Sequence, residues 1–205
     1  HAQGGLYKGR LLGTIGHVGA MSIMSGKSLA CGEGGFLVTA DHELYERAVA
    51  FGHYSRTRDL ESPELSPLAG MPLGGYKYRM HQLSSAVGRS QLKHYPGRMA
   101  EIQRAMNHFW DLLEGVPGVH AHRPPAASGS TMGGWYYAHG IYAPEELGGL
   151  PLSRFCEALN AEGVPAAAGA NFLKSRTSGV NRVIFGVPEN GTLYRSSAWG
   201  ELSKL

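Results

Sequence analysis

The feature that most constrains this chain is one lysine placed between two strand-like runs. Residues 21–24 are mostly apolar and lead into Ser25-Gly26-Lys27, and residues 36–39 form a second apolar run after a glycine cluster. This order predicts a strand that delivers Lys27 to a turn, among small residues that let other groups approach closely. A lysine amine that is desolvated, or close to another cation, loses its proton more easily and can then form a Schiff base with an aldehyde.

Two other interpretations of Lys27 are open from the local sequence. The first is a solvated lysine in a serine- and glycine-rich loop, where most lysines are found. The second is a phosphate-binding P-loop, because Ser25-Gly26-Lys27-Ser28 resembles the end of G-x-x-x-x-G-K-[ST]. That pattern requires glycine at the position of Met21 and a helix directly after the lysine, and the glycine cluster that follows does not favour a helix. The P-loop interpretation is therefore set aside.

Several short motifs occur in order along the first 35 residues. They are His1-Ala2, Tyr7-Lys8-Gly9-Arg10, Gly13-Thr14-Ile15-Gly16, Ser22, Lys27 and Gly32-Glu33-Gly34-Gly35. In this order they resemble the DegT/DnrJ/EryC1/StrS family of pyridoxal-phosphate-dependent aminotransferases, and the resemblance continues to about Asn171. It implies that pyridoxal phosphate is the cofactor, that Lys27 is the Schiff-base lysine, that Ser22 hydrogen-bonds the cofactor phosphate and that His1 lies beside the cofactor ring. A buried serine bonded to backbone and a frayed terminal histidine are the alternatives for Ser22 and His1.

The same resemblance implies an α/β chain of the three-layer fold-type I class. Residues 1–95 would be the later part of the large cofactor-binding domain, and residues 96–205 a small α+β C-terminal domain whose tail from about residue 172 is atypical. Because His1 falls inside a family motif, the chain is interpreted as N-terminally truncated. The acidic residue that relatives pair with the pyridine nitrogen is expected three positions before it. We interpret the change of pattern near Phe172 as a disturbed reading frame or gene boundary.

A second informative stretch resembles the family segment Gly-Tyr-Asn-Tyr-Arg-Met and covers residues 75–80, with Lys77 in the asparagine position. In the family this position reaches across a dimer interface to the partner's cofactor phosphate. A lysine can act there as a point charge on phosphate, so the resemblance implies a homodimer with shared active sites. The alternative is that Lys77 and Arg79 are ordinary surface cations beside aromatic rings.

Composition excludes some classes of partner. A formal net charge of only +3 provides no strong field for nucleic acid or another polyanion. Cys31 and Cys156 are isolated, and His120 and His122 have no carboxylate or cysteine near them in the sequence, so no metal site is predicted. No apolar run is as long as a membrane span and no signal-peptide pattern is present, so the expected location is the cytoplasm.

Local patterns predict the remaining elements. Asp41 is a candidate N-cap of a helix that buries Leu44, Ala48 and Val49 and ends near a capping His53. Residues 55–75 are expected to form a long loop. Pro96-Gly97 is expected to break the next helical pattern, so that an amphipathic helix of about sixteen residues begins near Met99. A strand over 135–142, a helix ending at Gly163 and a short strand at 183–185 are also expected.

The resemblance implies an enzyme that moves an amino group from glutamate or glutamine to a keto-cyclitol or to a keto-sugar, often nucleotide-linked. Some relatives carry histidine in place of this lysine and remove a hydroxyl group instead, so Lys27 favours amino transfer. The alternative is a non-catalytic remnant, or a binding or dimerisation protein of the same fold, because the acidic partner of the cofactor lies outside this chain and the tail is atypical. The acceptor and the donor cannot be identified from the sequence.

Overall fold

The computed structural model describes residues 1–71, 76–168 and 182–185, and it begins with two antiparallel hairpins. Strand β1 (Leu6–Tyr7) pairs with β2 (Arg10–Leu11), and β3 (Gly19–Ser22) pairs with β4 (Gly35–Val38). The first hairpin turns through Lys8 and Gly9, whose φ angles of 49° and 76° are those of a tight left-handed turn. The two strands predicted on either side of Lys27 are confirmed as β3 and β4.

Helix α1 (His42–Gly52) begins at the predicted cap, where the Leu44 N–H donates to Asp41 Oδ1 at 3.0 Å. The predicted buried face is wrong: the fully buried side chains are Glu46 and Ala50, and Leu44, Ala48 and Val49 are only partly buried. The reason is a tertiary contact, because the backbone N–H groups of Glu61 and Ser62 and the Ser62 hydroxyl all donate to the Glu46 carboxylate. The loop after α1 therefore folds over the Glu46 face. The helix ends at Gly52 and is capped by His53, as predicted, with the His53 N–H donating to the Val49 carbonyl.

Helix α2 (Gln82–Leu112) runs without interruption through Pro96, so the predicted break at Pro96-Gly97 is wrong. Proline removes one helical hydrogen bond and crowds the preceding turn, which can bend or end a helix. Here Tyr95 and Trp110 are buried on the two sides of the bend-prone site and anchor both halves of the helix to the protein. The predicted domain boundary after residue 95 falls inside this helix, and the division into two domains stays a prediction.

The C-terminal part is built on a four-stranded antiparallel sheet. Its strands are β5 (Val119–Ala121), β6 (Ala138–Tyr142), β7 (Ala166–Ala168) and β8 (Arg182–Phe185), in the spatial order β5-β6-β8-β7. Helix α3 (Leu152–Ala161) precedes β7. The core between these elements and α2 contains Trp110, Val119, Trp135, Ala138, Tyr142, Cys156 and Ala166. The expected strand at 183–185 is confirmed as β8, whereas the boundary suggested near Phe172 lies outside the described residues.

Candidate active site

Lys27 lies in the loop that joins β3 to β4. The Ile23 N–H donates to the Gly34 carbonyl at 2.9 Å, and the Cys31 N–H returns to the Ile23 carbonyl at 2.8 Å, so the loop is closed at its base. The Lys27 residue itself is only 8% exposed. This burial lowers the pKa of Lys27 from its ordinary value, because an ammonium group loses hydration there. Lys27 is therefore not a solvated loop lysine, and its amine is shifted toward the neutral, nucleophilic form.

The structure brings His1 to Lys27. The Nζ atom of Lys27 lies 2.6 Å from Nε2 of His1, although the two residues are 26 positions apart. At this distance one proton is shared between the amine and the imidazole, with either nitrogen able to donate. The imidazole can consequently receive a proton from Nζ or return one to it. Two of the predicted site residues therefore form one proton-sharing pair.

Tyr136 completes this cluster and was missed by the sequence reasoning. Its ring centroid lies 3.7 Å from that of His1, and Lys27 Nζ lies 4.3 Å from the Tyr136 centroid. The preceding residue, Trp135, has a φ angle of 37°, a left-handed backbone conformation that a bulky side chain rarely adopts. Such strain is concentrated at functional sites. The only local signal for it is the aromatic run at residues 135–137, directly before a predicted strand.

A buried residue next to His1 holds the cluster together. The carbonyl of Gln3 accepts hydrogen bonds from the Tyr95 hydroxyl at 2.9 Å and from the Gly134 N–H at 3.0 Å. The Gln3 side-chain amide donates to the Ser22 carbonyl at 2.5 Å. The Tyr95 hydroxyl also lies 2.9 Å from Oγ of Ser28, the residue after the lysine. Gln3 therefore links the N-terminal segment to β3, α2 and the loop before β6.

Ser22 stands at the end of β3, and its carbonyl is fixed by Gln3. Its Oγ lies 3.4 Å from the Met24 N–H, a long contact in which the hydroxyl is the acceptor. Within the part of the chain that the structure describes, the hydroxyl proton of Ser22 has no acceptor. A hydroxyl in this state can donate to an anion. The predicted contact of Ser22 with the cofactor phosphate stays a prediction.

Lys77 does not join this cluster within the chain. It is exposed, forms an isolated β-bridge with His53, and holds its Nζ 5.4 Å from the centroid of the Tyr54 ring. This is the arrangement of a surface cation beside an aromatic ring. Burial, with the charges of Arg79, Arg56 and Lys77, lowers the pKa of His53 below its ordinary value. The predicted reach of Lys77 to a partner's cofactor phosphate stays a prediction.

The donor set at Lys27 fits pyridoxal phosphate. The cofactor's aldehyde needs an amine that can lose its proton, which the buried Lys27 supplies, and the phosphate needs donors such as the Ser22 hydroxyl. Over residues 1–71 and 76–168, no three histidine, cysteine, aspartate or glutamate side chains stand close enough to hold a metal ion. The described helices include none that is both long and apolar enough to cross a membrane.

Comparison with known proteins supports the same identification. The sequence model of the DegT/DnrJ/EryC1/StrS aminotransferase family matches residues 1–170. The L-glutamine:scyllo-inosose aminotransferase of Streptomyces griseus is 32% identical to this chain over 166 residues. That alignment covers 79% of this chain and 38% of the relative, so the chain spans less than half of the relative's length.

Solved structures show the fold. The aminotransferase from Psychrobacter cryohalolentis matches with a TM-score of 0.69 and 21% identity, over 98% of this chain and 60% of its own. The E. coli GDP-4-keto-6-deoxy-D-mannose-3-dehydratase with bound hydrated PLP matches with a TM-score of 0.68 and 21% identity, over 89% and 53%. These matches are consistent with the predicted fold-type I. The predicted cofactor, pyridoxal phosphate, is confirmed, because the family is pyridoxal-phosphate-dependent. The chain belongs to the DegT/DnrJ/EryC1/StrS aminotransferase family.

Proposed function

We propose that this protein is a pyridoxal-phosphate-dependent aminotransferase that moves an amino group from glutamine or glutamate to a ketone on a polyhydroxylated ring. One observation supports this most directly: the buried Lys27 amine lies 2.6 Å from the His1 imidazole. The pair stands within motifs that match the family in order. Because burial lowers the pKa of Lys27, the amine is available as a nucleophile and as a base.

When bound, pyridoxal phosphate would supply an electron sink for the loss of a proton from the donor carbon. Lys27 Nζ would be the atom that holds the cofactor and that moves this proton. His1 Nε2 would accept a proton from Nζ or return it, since the two nitrogens are 2.6 Å apart. The Ser22 hydroxyl would donate a hydrogen bond to the cofactor phosphate, five residues before the lysine.

The class of substrate follows from the relatives' names. The Streptomyces griseus relative is named for glutamine and scyllo-inosose, and the E. coli structure for a GDP-linked 4-keto sugar. A keto-cyclitol or a keto-sugar is accordingly the proposed acceptor. Lys27 in the position where some dehydrating relatives carry histidine favours amino transfer over removal of a hydroxyl group. A non-catalytic remnant is less favoured, because burial and the contact with His1 preserve the reactive environment of Lys27.

The proposal includes a homodimer. Lys77 is exposed and lies apart from the Lys27 cluster of its own chain, so it is available to a second copy. An ammonium group there would bind the cofactor phosphate of that copy as a point charge. A cytoplasmic location, and a division into a large-domain part over residues 1–95 and a small domain over residues 96–205, complete the proposal.

Covalent trapping tests the site. The protein is incubated with pyridoxal phosphate, reduced with borohydride and digested, and the modified lysines are mapped by mass spectrometry. The expected result is a single adduct on Lys27 that is lost in Lys27→Ala and kept in Lys93→Ala, a matched change at an exposed lysine. Label spread over Lys8, Lys77 and Lys93, without enrichment at Lys27, would show that no organised cofactor site exists.

Amino transfer is tested separately, on protein whose Lys27 has been shown by trapping to bind pyridoxal phosphate. The protein is supplied with pyridoxal phosphate and glutamine, and candidate acceptors, including scyllo-inosose and a nucleotide-linked 4-keto sugar, are assayed for aminated product. Product that forms with one acceptor and disappears in Lys27→Ala supports the enzyme. Trapping on Lys27 without product from any keto-cyclitol or keto-sugar would overturn the proposed acceptor class.

A further inference from the structure

Tyr136 is the one aromatic residue that contacts both members of the Lys27–His1 pair in the described part of the chain. Its ring centroid lies 3.7 Å from the His1 ring at an interplanar angle of 36°, and 4.3 Å from Lys27 Nζ. The ring thus lies against both members of the pair. No motif in the first 35 residues supplies this surface.

The backbone that leads into Tyr136 is fixed at the two residues before it. Trp135 is 5% exposed, and its indole N–H donates to Oε1 of Gln103 on α2 at 3.0 Å. The Gly134 N–H donates to the Gln3 carbonyl at 3.0 Å. With these two anchors in place, Trp135 keeps its unusual φ angle of 37° directly before Tyr136. A conformation of this kind persists only where the surrounding contacts over-determine it.

The contact has two physical consequences for the amine. The ring excludes water from Nζ, which disfavours the ammonium form, and its π face attracts a cation, which favours that form. Burial lowers the pKa of Lys27, so loss of the Tyr136 ring is expected to raise it by admitting water to Nζ. The ring also packs against the imidazole and limits the positions that His1 can adopt.

We propose that Tyr136 is a positioning residue of this site: its ring holds the Lys27 amine and the His1 imidazole in contact and keeps water from them. The inference deepens the proposed function and rests on it, since the pair is the proposed proton-moving group. It assigns to a residue 109 positions after Lys27 a role that depends on the ring and not on the hydroxyl. The experiment must therefore distinguish the effect of losing the ring from the effect of losing the hydroxyl and from a general loss of stability.

The first measurement needs no cofactor. A small amine-reactive reagent is used to modify Lys27, and the rate of modification is followed by peptide mapping from pH 6 to pH 11. The pH at which the rate is half-maximal, the midpoint, is compared between variants. In Tyr136→Ala water reaches Nζ, so this midpoint is expected to rise toward the ordinary value of a lysine. Tyr136→Phe keeps the ring and is expected to leave the midpoint unchanged. The midpoint, unlike the rate itself, does not depend on how freely the reagent enters.

Tyr137→Ala is the matched control. The Tyr137 ring lies 4.1 Å from the Tyr136 ring and 6.0 Å from the His139 ring, whereas the described side-chain contacts of Lys27 are with His1 and Tyr136. A loss of stability common to both alanine variants would report packing alone, whereas only Tyr136→Ala is expected to move the Lys27 midpoint. Tyr136→Leu keeps an apolar side chain and serves if the alanine variant does not fold, with a smaller rise expected.

The second measurement is trapping of pyridoxal phosphate on Lys27. Tyr136→Ala is expected to need roughly three- to tenfold more cofactor for half-maximal trapping, as loss of a contact worth about 1 kcal/mol implies, while Tyr136→Phe behaves as wild type. If wild type is trapped on Lys27 and Tyr136→Ala and Tyr136→Leu keep its midpoint, the role of Tyr136 is overturned and the proposed function stands. A shift in Tyr136→Phe equal to that of Tyr136→Ala would also overturn it. Failure of wild type to be trapped overturns the proposed function itself.

Discussion

Replacing Gly134 with alanine should disturb the Lys27 site from a position far away in the sequence. A Cβ atom at Gly134 would lie 2.0 Å from Oγ of Ser28, 2.8 Å from Cβ of Ser28 and 2.5 Å from the Tyr95 hydroxyl oxygen. Rotation of the Ser28 hydroxyl relieves only the first of these contacts, because the Cβ atom of Ser28 is also too close. The backbone of Ser28 must therefore move, and it is bonded to Lys27.

The magnitude follows from the contacts that are lost. Overpacking of a filled site costs typically about 1–3 kcal/mol, and the Ser28–Tyr95 hydrogen bond contributes roughly 0.5–1.5 kcal/mol more. We therefore expect the free energy of unfolding to fall by about 1.5–4.5 kcal/mol. The effect on the site should be larger in proportion, because displacement of a reacting group by about 1 Å can reduce a rate roughly a hundredfold. At least a tenfold decrease in the rate of trapping on Lys27 is expected.

Two further variants make the Gly134 prediction specific. Gly97 lies in α2 and a Cβ atom there would meet nothing within 4 Å, so Gly97→Ala should raise the free energy of unfolding by about 0.5–1 kcal/mol and leave trapping unchanged. Adding Ser28→Gly to Gly134→Ala removes two of the three close contacts and should restore part of the stability. Urea unfolding and borohydride trapping measure both effects. A Gly134→Ala protein that unfolds and reacts like wild type would refute the reasoning.

Two further predictions concern α1 and the loop after it. The Ser62 hydroxyl and the Glu61 and Ser62 N–H groups hold the pKa of Glu46 at about 2 instead of 4.5, so its contribution to stability is complete above pH 4.5 and is lost as the pH falls toward 2. Glu46→Gln should lower stability at pH 7 and flatten this part of the stability–pH profile, and an unchanged profile would contradict the assignment. Asp41→Ala should lower the free energy of unfolding by about 1 kcal/mol, because Leu44 N–H loses its acceptor, while Asp41→Asn keeps most of it. Equal denaturant midpoints for the alanine variant and wild type would rule out this cap.

Elements with short-range signals could be predicted from the sequence. The Lys27 loop lies between two apolar runs that pair with each other as β3 and β4. Both strands of this hairpin are therefore contained in residues 19–38. The Asp41 cap is equally local, since donor and acceptor are three residues apart. Strand β6 and helix α3 also follow the periodicities that predicted them. In each of these elements the stabilising contact is contained in a short stretch of chain.

Other features depend on contacts that no local pattern contains. Pro96 is a helix breaker by its own chemistry, yet α2 continues because Tyr95 and Trp110 are anchored in different parts of the protein. Glu46 has the spacing of an ordinary exposed helix carboxylate, and it becomes buried because a loop 15 residues later donates to it. Both errors have the same origin: tertiary contacts overrode a local preference, and their partners could not be identified from spacing.

The same limit applies to the candidate site and affects how activity should be inferred for this family. His1, Ser22 and Lys27 are found from motifs, but the ring that contacts Lys27 belongs to Tyr136. It reaches the site because the chain folds back and packs residues 133–134 against the N-terminal segment. This approach needs glycine: a Cβ atom at Gly133 would lie 2.5 Å from the Gly5 nitrogen. A chain can therefore keep every residue of the lysine motif and still leave that lysine solvated, if a side chain at 133 or 134 prevents closure. The reactivity of Lys27 depends on this closure as much as on the motif, and its pH midpoint is the property that reports it.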